Sequence, residues 1–360
     1  MTYNLKNYFI KIYNHLYASI EQKVFMRNAH KSIKDKIIFI VPNADIINGG
    51  IMSILNMHCI ATDIFPQKEV YLAVSNKHQT ILRFSKLKSN VKIINFNWFA
   101  KDWIKNSNLL IHVWEKGTID FLSNMESLNL LGLFKNVTLN ILNQNQDLMP
   151  SSKDIYKYTK FIGKITMTLA YKANEELEYP YLSMKPKHVG AWYDEYKPEL
   201  VPYRLKKNIC IISPDIHPSK ERIVKKLESI GIYCYQKYPI PFSKFVELQK
   251  EAKWTISFGE GWDGYSAGQF RNGGIGFGVY QLNFAKKYFN YDNLPHFLFK
   301  SYDDLEREIL NRIAEYDNED TFESTNKNIV KIMYSDPENS TSQSVRVRWR
   351  EYYHEIGYLN

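Results

Sequence analysis

The chain is short of cysteine, with three in 360 residues, at positions 59, 210 and 234. An odd, low count without metal-ligand spacing argues against a disulfide framework and points to a reducing compartment. No stretch approaches the roughly 18 uninterrupted apolar residues of a membrane-crossing helix. A signal peptide's compact apolar run and small-residue cleavage site are missing, so the expected location is the cytoplasm. There is no internal repeat and no low-complexity tract. Glycine is also sparse, yet eight of the sixteen fall within "SFGEGWDGYSAGQFRNGGIGFGVY", residues 257–280. Glycine costs backbone entropy, so such clustering marks a tight turn or a close approach.

What is present fits a folded protein: 44% hydrophobic and 24% charged residues exclude disorder, and the length suggests two domains. Aromatics reach 15%; they can stack on sugars or bases, but most are expected in the core. The net charge of +9 admits nucleic acid, anionic lipid or phosphorylated ligands as partners. Residues 1–36 hold seven Lys/Arg against Glu21 and Asp35, more than half of the surplus. The rest is only mildly basic, which argues against nucleic acid. Within the same segment Leu5, Phe9, Ile12, Leu16, Ile20 and Val24 recur at helical spacing. Such a basic amphipathic helix packs on its own domain or rests on anionic lipid.

Short β-branched runs then alternate with helical patterns. Strands are expected at 36–43, 69–75, 91–96, 108–115 and 136–144, with a helix opening at Gly49–Gly50. Residues 151–200 are irregular and end in a proline- and charge-rich linker. A second series follows: strands near 208–215, 232–238, 253–260 and 274–281, a helix ending at Gly231, and a polar-faced helix over 301–317. The pattern predicts an α/β protein with two Rossmann-like domains, 37–200 and 201–340, and a helix over 341–360. In open α/β sheets ligands sit at the carboxyl ends of the strands, so the expected site is a cleft between the two domains.

The residues just after the strands are therefore the candidates. Gly49 and Gly50 open a helix whose N-terminal amides suit an anion, although the loop is no G-x-G-x-x-G fingerprint. His112 and Glu115 close the fourth strand, where either could act as a base or could simply bond the neighbouring backbone. In "SPDIHPSKE", Ser213 and Asp215 would line the cleft, and Lys220 starts a helix where a cation and the dipole could hold a phosphate. Glu260, between Gly259 and Gly261, stands at a strand exit, placed to accept hydrogen bonds from ligand hydroxyls.

The run "FGEGWDGYSAGQFRNGG" (258–274) resembles, without gaps, the loop of GT-B glycosyltransferases that assemble bacterial polysaccharides, including rhamnosyltransferase-like members. The likeness in architecture spans roughly residues 37–340; the motif itself covers only this run. The resemblance implies donor contacts from Gly259, Glu260, Gly261, Gly264 and Tyr265. Wider retaining members carry two acidic residues eight positions apart, the first near the transferred sugar and the second on the donor ribose. Glu260 matches the first, but the second position is Gly268, with Gln269 beside it as the expected stand-in. The resemblance also places Lys220 and Gly49–Gly50 on the donor diphosphate, and His112 near the acceptor. The chain contains no D-x-D, so leaving-group stabilisation without a metal or other cofactor is expected.

The function this implies is transfer of a sugar from a nucleoside-diphosphate sugar to a hydroxyl of a growing bacterial surface glycan such as O-antigen or capsule. The acceptor would be a glycan or lipid-linked glycan, reached from the inner face of the membrane through residues 1–36. Two alternatives stay open: a sugar-nucleotide epimerase or hydrolase of the same fold, and a non-catalytic glycan- or nucleotide-binding subunit.

Overall fold

A computed structural model describes residues 35–42, 49–75, 93–170, 178–190, 199–335 and 342–359, apart from positions 239, 241 and 287. The amphipathic segment expected at residues 4–30 lies outside them. The chain divides into two compact units, Met1–Trp192 with Val345–Asn360, and Tyr193–Ser344.

The first unit is built on β1 (Lys36–Ile40), β2 (Glu69–Val74), β3 (Ile93–Asn95), β4 (Leu109–Trp114), β5 (Val137–Asn143), β6 (Lys164–Leu169) and β7 (Lys187–His188). They form one parallel sheet in the order 3-2-1-4-5-6-7, the doubly wound order of a Rossmann-like domain. Strands such as Ile37–Ile40 are buried on both faces, which is why their sequence is continuously apolar rather than alternating. Helix α1 (Gly49–Ile64) starts at the expected glycine pair. Helices α2 (Ala100–Asn106), α3 (Thr118–Ser127) and α4 (Ser152–Thr159) close one face over a core that includes Trp103, Phe121, Leu122 and Tyr158.

The second unit holds β8 (Lys207–Ile212), β9 (Tyr233–Tyr235), β10 (Ala252–Ser257), β11 (Ile275–Val279) and β12 (Leu298–Phe299), parallel, in the order 12-11-10-8-9. Its helices are α5 (Lys220–Ser229), α6 (Phe242–Glu251), α7 (Ser266–Arg271), α8 (Leu282–Ala285), α9 (Tyr302–Tyr316) and α10 (Glu319–Ser335). Helix α5 buries Ile223, Val224 and Leu227 and is closed by Gly231 at φ 80°, the left-handed cap its sequence announces. Lys206 sits buried where α6 ends and donates to the carbonyls of Gln249, Lys250 and Ala252 at 3.1, 2.9 and 3.1 Å. It satisfies acceptors that the helix itself leaves open.

The last helix, α11 (Ser342–Glu355), belongs to the first unit from Val345 onward. Buried Trp349, Tyr352 and Tyr353 cover the sheet face opposite α2–α4. The boundary therefore falls at residues 192 and 345 rather than at 200 and 340.

Candidate active site

The carboxyl ends of β8, β10 and β12 meet in the second unit. Ser213, at the β8 exit, is fully buried, and its Oγ accepts from the Phe258 amide at 2.9 Å. It joins two strand exits and cannot line an open site, which corrects the ligand role expected for it. Lys220 opens α5, and its Nζ donates to the carbonyls of Ser213 and Asp215 at 2.5 and 3.0 Å. Burial pushes the ammonium pKa down and the charge of Asp215 raises it. An ammonium has three hydrogens, so one remains for a ligand. Asp215 is exposed and turns its carboxylate toward Gly259, where an added Cβ would lie 3.0 Å from Oδ2. Glu260 follows, half-buried, at the exit of β10.

The glycine cluster approaches the protein's own sheet. Gly261 has φ 72°, and a Cβ there would lie 1.9 Å from the carbonyl oxygen of Val279. A Cβ on Gly276 would meet the Ser266 carbonyl at 2.1 Å, and one on Gly278 the Gly261 carbonyl at 2.3 Å. These glycines let the loop and α7 lie directly on the backbone of β11. Trp262 anchors the loop among Phe270, Tyr288, Phe289 and Phe297.

Asp263, which the sequence reading passed over, organises the turn. Its Oδ1 accepts from the amides of Tyr265 and Ser266 at 2.8 and 3.1 Å, and its Oδ2 from Ser257 Oγ at 2.5 Å. Burial pushes this carboxyl above its usual range, against the pull of those bonds. The signal is legible in the sequence: an Asp followed by Gly marks a turn whose carboxylate can accept from the amides two and three residues on, here those of Tyr265 and Ser266 at the start of α7. The loop also spells G-x-G-x-x-G over Gly259, Gly261 and Gly264, between a strand and a helix. A dinucleotide reading fails, because the Asp263 carboxylate already holds the amides that a pyrophosphate would need. Gly264 is exposed with open space around it, while Tyr265 is half-buried against Phe245 and Tyr238.

Gln269 is fully buried and donates from Nε2 to the carbonyls of Gln249 and Ala252 at 3.1 and 2.6 Å. Ala252 begins β10, so this side chain serves the end of the strand opposite Glu260. The expectation that Gln269 meets a donor ribose is corrected: both amide hydrogens are spent on backbone in a closed interior. Gly268 is also buried; a Cβ there would lie 3.0 Å from Nε2 of Gln249 on α6. A side chain at 268 would press on the Gln249 amide, and its burial removes Gly268 from the ligand-facing set.

In the first unit, His112 lies inside β4, fully buried, stacked on Phe39 at 4.3 Å. Asn140 donates to its Nδ1 at 2.9 Å, and Nε2 lies 3.4 Å from the Tyr353 hydroxyl. Burial pushes its pKa down to about 3. It is a neutral core histidine that helps seat α11, which corrects the acceptor-side base expected of it. Glu115, at the β4 exit, accepts from the Gln144 amide at 3.2 Å, and burial raises its carboxyl to about 7 against its backbone hydrogen bonds. Gly49 and Gly50 open α1 as expected, but the preceding loop, residues 43–48, lies outside the described residues.

These two parallel units define the class: the chain has the GT-B fold of two Rossmann-like domains. No family model and no curated protein sequence matches it. Among solved structures it is similar to Anabaena HepE in complex with UDP-glucose, at 8% identity and TM-score 0.59, covering 89% of this chain and 99% of that one. It is also similar to the catalytic domain of starch synthase IV from Arabidopsis thaliana bound to ADP and acarbose, at 9% identity and TM-score 0.56, covering 90% and 99%. A UDP-N-acetylglucosamine 2-epimerase matches at 9% identity and TM-score 0.50, covering 91% and 97%. Among the described residues no helix is long and apolar enough to cross a membrane.

Proposed function

We propose that the chain is a glycosyltransferase that moves a sugar from a nucleoside-diphosphate donor to a hydroxyl of a growing bacterial surface glycan. One observation carries the reading. On a fold shared with structures bound to UDP-glucose and ADP, Lys220 is held at the first turn of α5, beside the loop that delivers Glu260. The anomeric carbon–oxygen bond to the diphosphate breaks, the acceptor oxygen bonds that carbon, and the acceptor proton passes to a base. Lys220 and the α5 amides would oppose the charge gathering on the leaving diphosphate. Glu260 would fix the sugar hydroxyls. No metal enters this proposal. A lipid-linked acceptor, and adhesion of residues 1–36 to the inner face of the membrane, belong to the same reading.

The test supplies a panel of nucleoside-diphosphate sugars with and without glycan acceptors, and follows diphosphate release and products by mass spectrometry. Acceptor-dependent transfer is expected, and Glu260→Ala should slow it at least tenfold, about 1.4 kcal/mol. A smaller loss would remove Glu260 from the centre of the chemistry. The epimerase neighbour motivates a second reading, in which an isomerised sugar nucleotide forms with no acceptor present. Binding without turnover would instead mark a non-catalytic subunit.

A further inference from the structure

Between Asp215 and Lys220, the β8 exit carries a residue that the proposed reaction does not yet use. His217 is half-buried, and its ring stacks on Tyr302 with centroids 3.7 Å apart and planes 25° from parallel. Phe258 continues the stack at 6.0 Å. Tyr302 is itself fixed, since its hydroxyl donates to the Phe258 carbonyl at 2.7 Å. The ring's rotation is set from the other side: Nδ1 accepts from the Ser219 amide at 3.1 Å, just before α5. An Nδ1 that accepts carries no proton, so the neutral ring bears its hydrogen on Nε2. Among the described residues no protein atom is recorded as a partner of Nε2. The result is an N–H donor with a fixed ring plane and tautomer, three residues from Lys220.

We propose that His217 donates from Nε2 to a phosphoryl oxygen of the donor diphosphate, as a catalytic contact beside Lys220, with Tyr302 as its positioning residue. The inference rests on the glycosyltransferase reading of this site and deepens it by naming the group that would share the leaving charge. A donor held before the reaction stabilises developing charge without reorganising.

Two substitutions separate the two ring nitrogens. His217→Asn places an acceptor near Nδ1, keeping the bond from Ser219, but has no group at Nε2. His217→Gln places an amide N–H near Nε2. Isothermal titration of the full chain with UDP, ADP, GDP and inorganic pyrophosphate, and with the matching nucleosides, gives the readout. The expected result is about tenfold weaker binding of pyrophosphate and of the preferred nucleoside diphosphate in His217→Asn. His217→Gln should restore part of it, and nucleoside binding should not change. Tyr302→Leu, which removes the stacked ring, should follow His217→Asn, and unchanged diphosphate binding in it would overturn the positioning role. Equal diphosphate binding by His217→Asn and the parent overturns the inference alone. An equal loss for nucleoside and diphosphate also overturns it, by placing His217 at the base or in the fold. A parent chain that binds none of the diphosphates overturns both the inference and the reading beneath it.

Discussion

Nε2 of Gln269 lies 2.6 Å from the carbonyl oxygen of Ala252, the first residue of β10, while the far end of that strand leads to Glu260. The glutamine that stands beside the vacant acidic position is a brace, not a ligand. Its partners, the Gln249 and Ala252 carbonyls, are shared with Lys206.

Gln269→Ala should therefore lower stability by about 1–3 kcal/mol and leave nucleoside-diphosphate affinity of the folded protein within about twofold. Gln269→Glu should be worse, because a buried carboxylate would face two carbonyl oxygens. Thermal melting beside calorimetric titration checks both. A selective loss of ligand affinity at an unchanged melting temperature would return Gln269 to the site.

Glu115 makes a prediction about pH. Burial raises its carboxyl from 4.5 to about 7 in the folded state. The folded protein therefore holds this proton more tightly than the unfolded chain. Its contribution is fully favourable below about pH 4.5, is lost as pH rises toward 7, and stays lost above. The span is about 3 kcal/mol. Glu115→Gln should remove this slope, raising the melting temperature at pH 8 and changing it little at pH 4. Parallel curves for the two proteins from pH 4 to 8 would show that the carboxyl titrates normally.

Asp215 stands beside Lys220 with its carboxylate toward Gly259, an unfavourable charge for a diphosphate. Asp215→Asn should tighten nucleoside-diphosphate binding about two- to fivefold at low salt, with most of the gain gone in 0.5 M NaCl. Titration at the two salt concentrations decides it. Unchanged affinity would put the phosphates away from Asp215.

Much of the fold was legible because parallel strands buried on both faces announce themselves as unbroken apolar runs. "KIIFI" and "LLIHVW" fall where such runs were read. β6 was not recognised, since "KITMTL" mixes threonines into the run; Thr166 and Thr168 face Asn140 in a buried polar network that one strand alone cannot reveal. The site was read in outline only. Glu260 stands at a strand exit and Lys220 at a helix start, as their positions after "TIS" and "SPDIHPS" suggest. Period and spacing cannot say which way a side chain on a six-residue helix turns, and Gln269 turned inward. His112 misled for a related reason: its partners Tyr352 and Tyr353 come from α11, more than 200 residues away in sequence.

That distance has a consequence for synthesis. The Thr166 and Tyr352 hydroxyls, 2.8 Å apart, join residues 186 positions apart in the chain, and the whole second unit is made between them. On the ribosome the face of the first sheet that carries His112 and Thr166 must wait for its cover until α11 emerges. The second unit has all its strands in one unbroken stretch and can close during that wait, so the part made first is the part finished last.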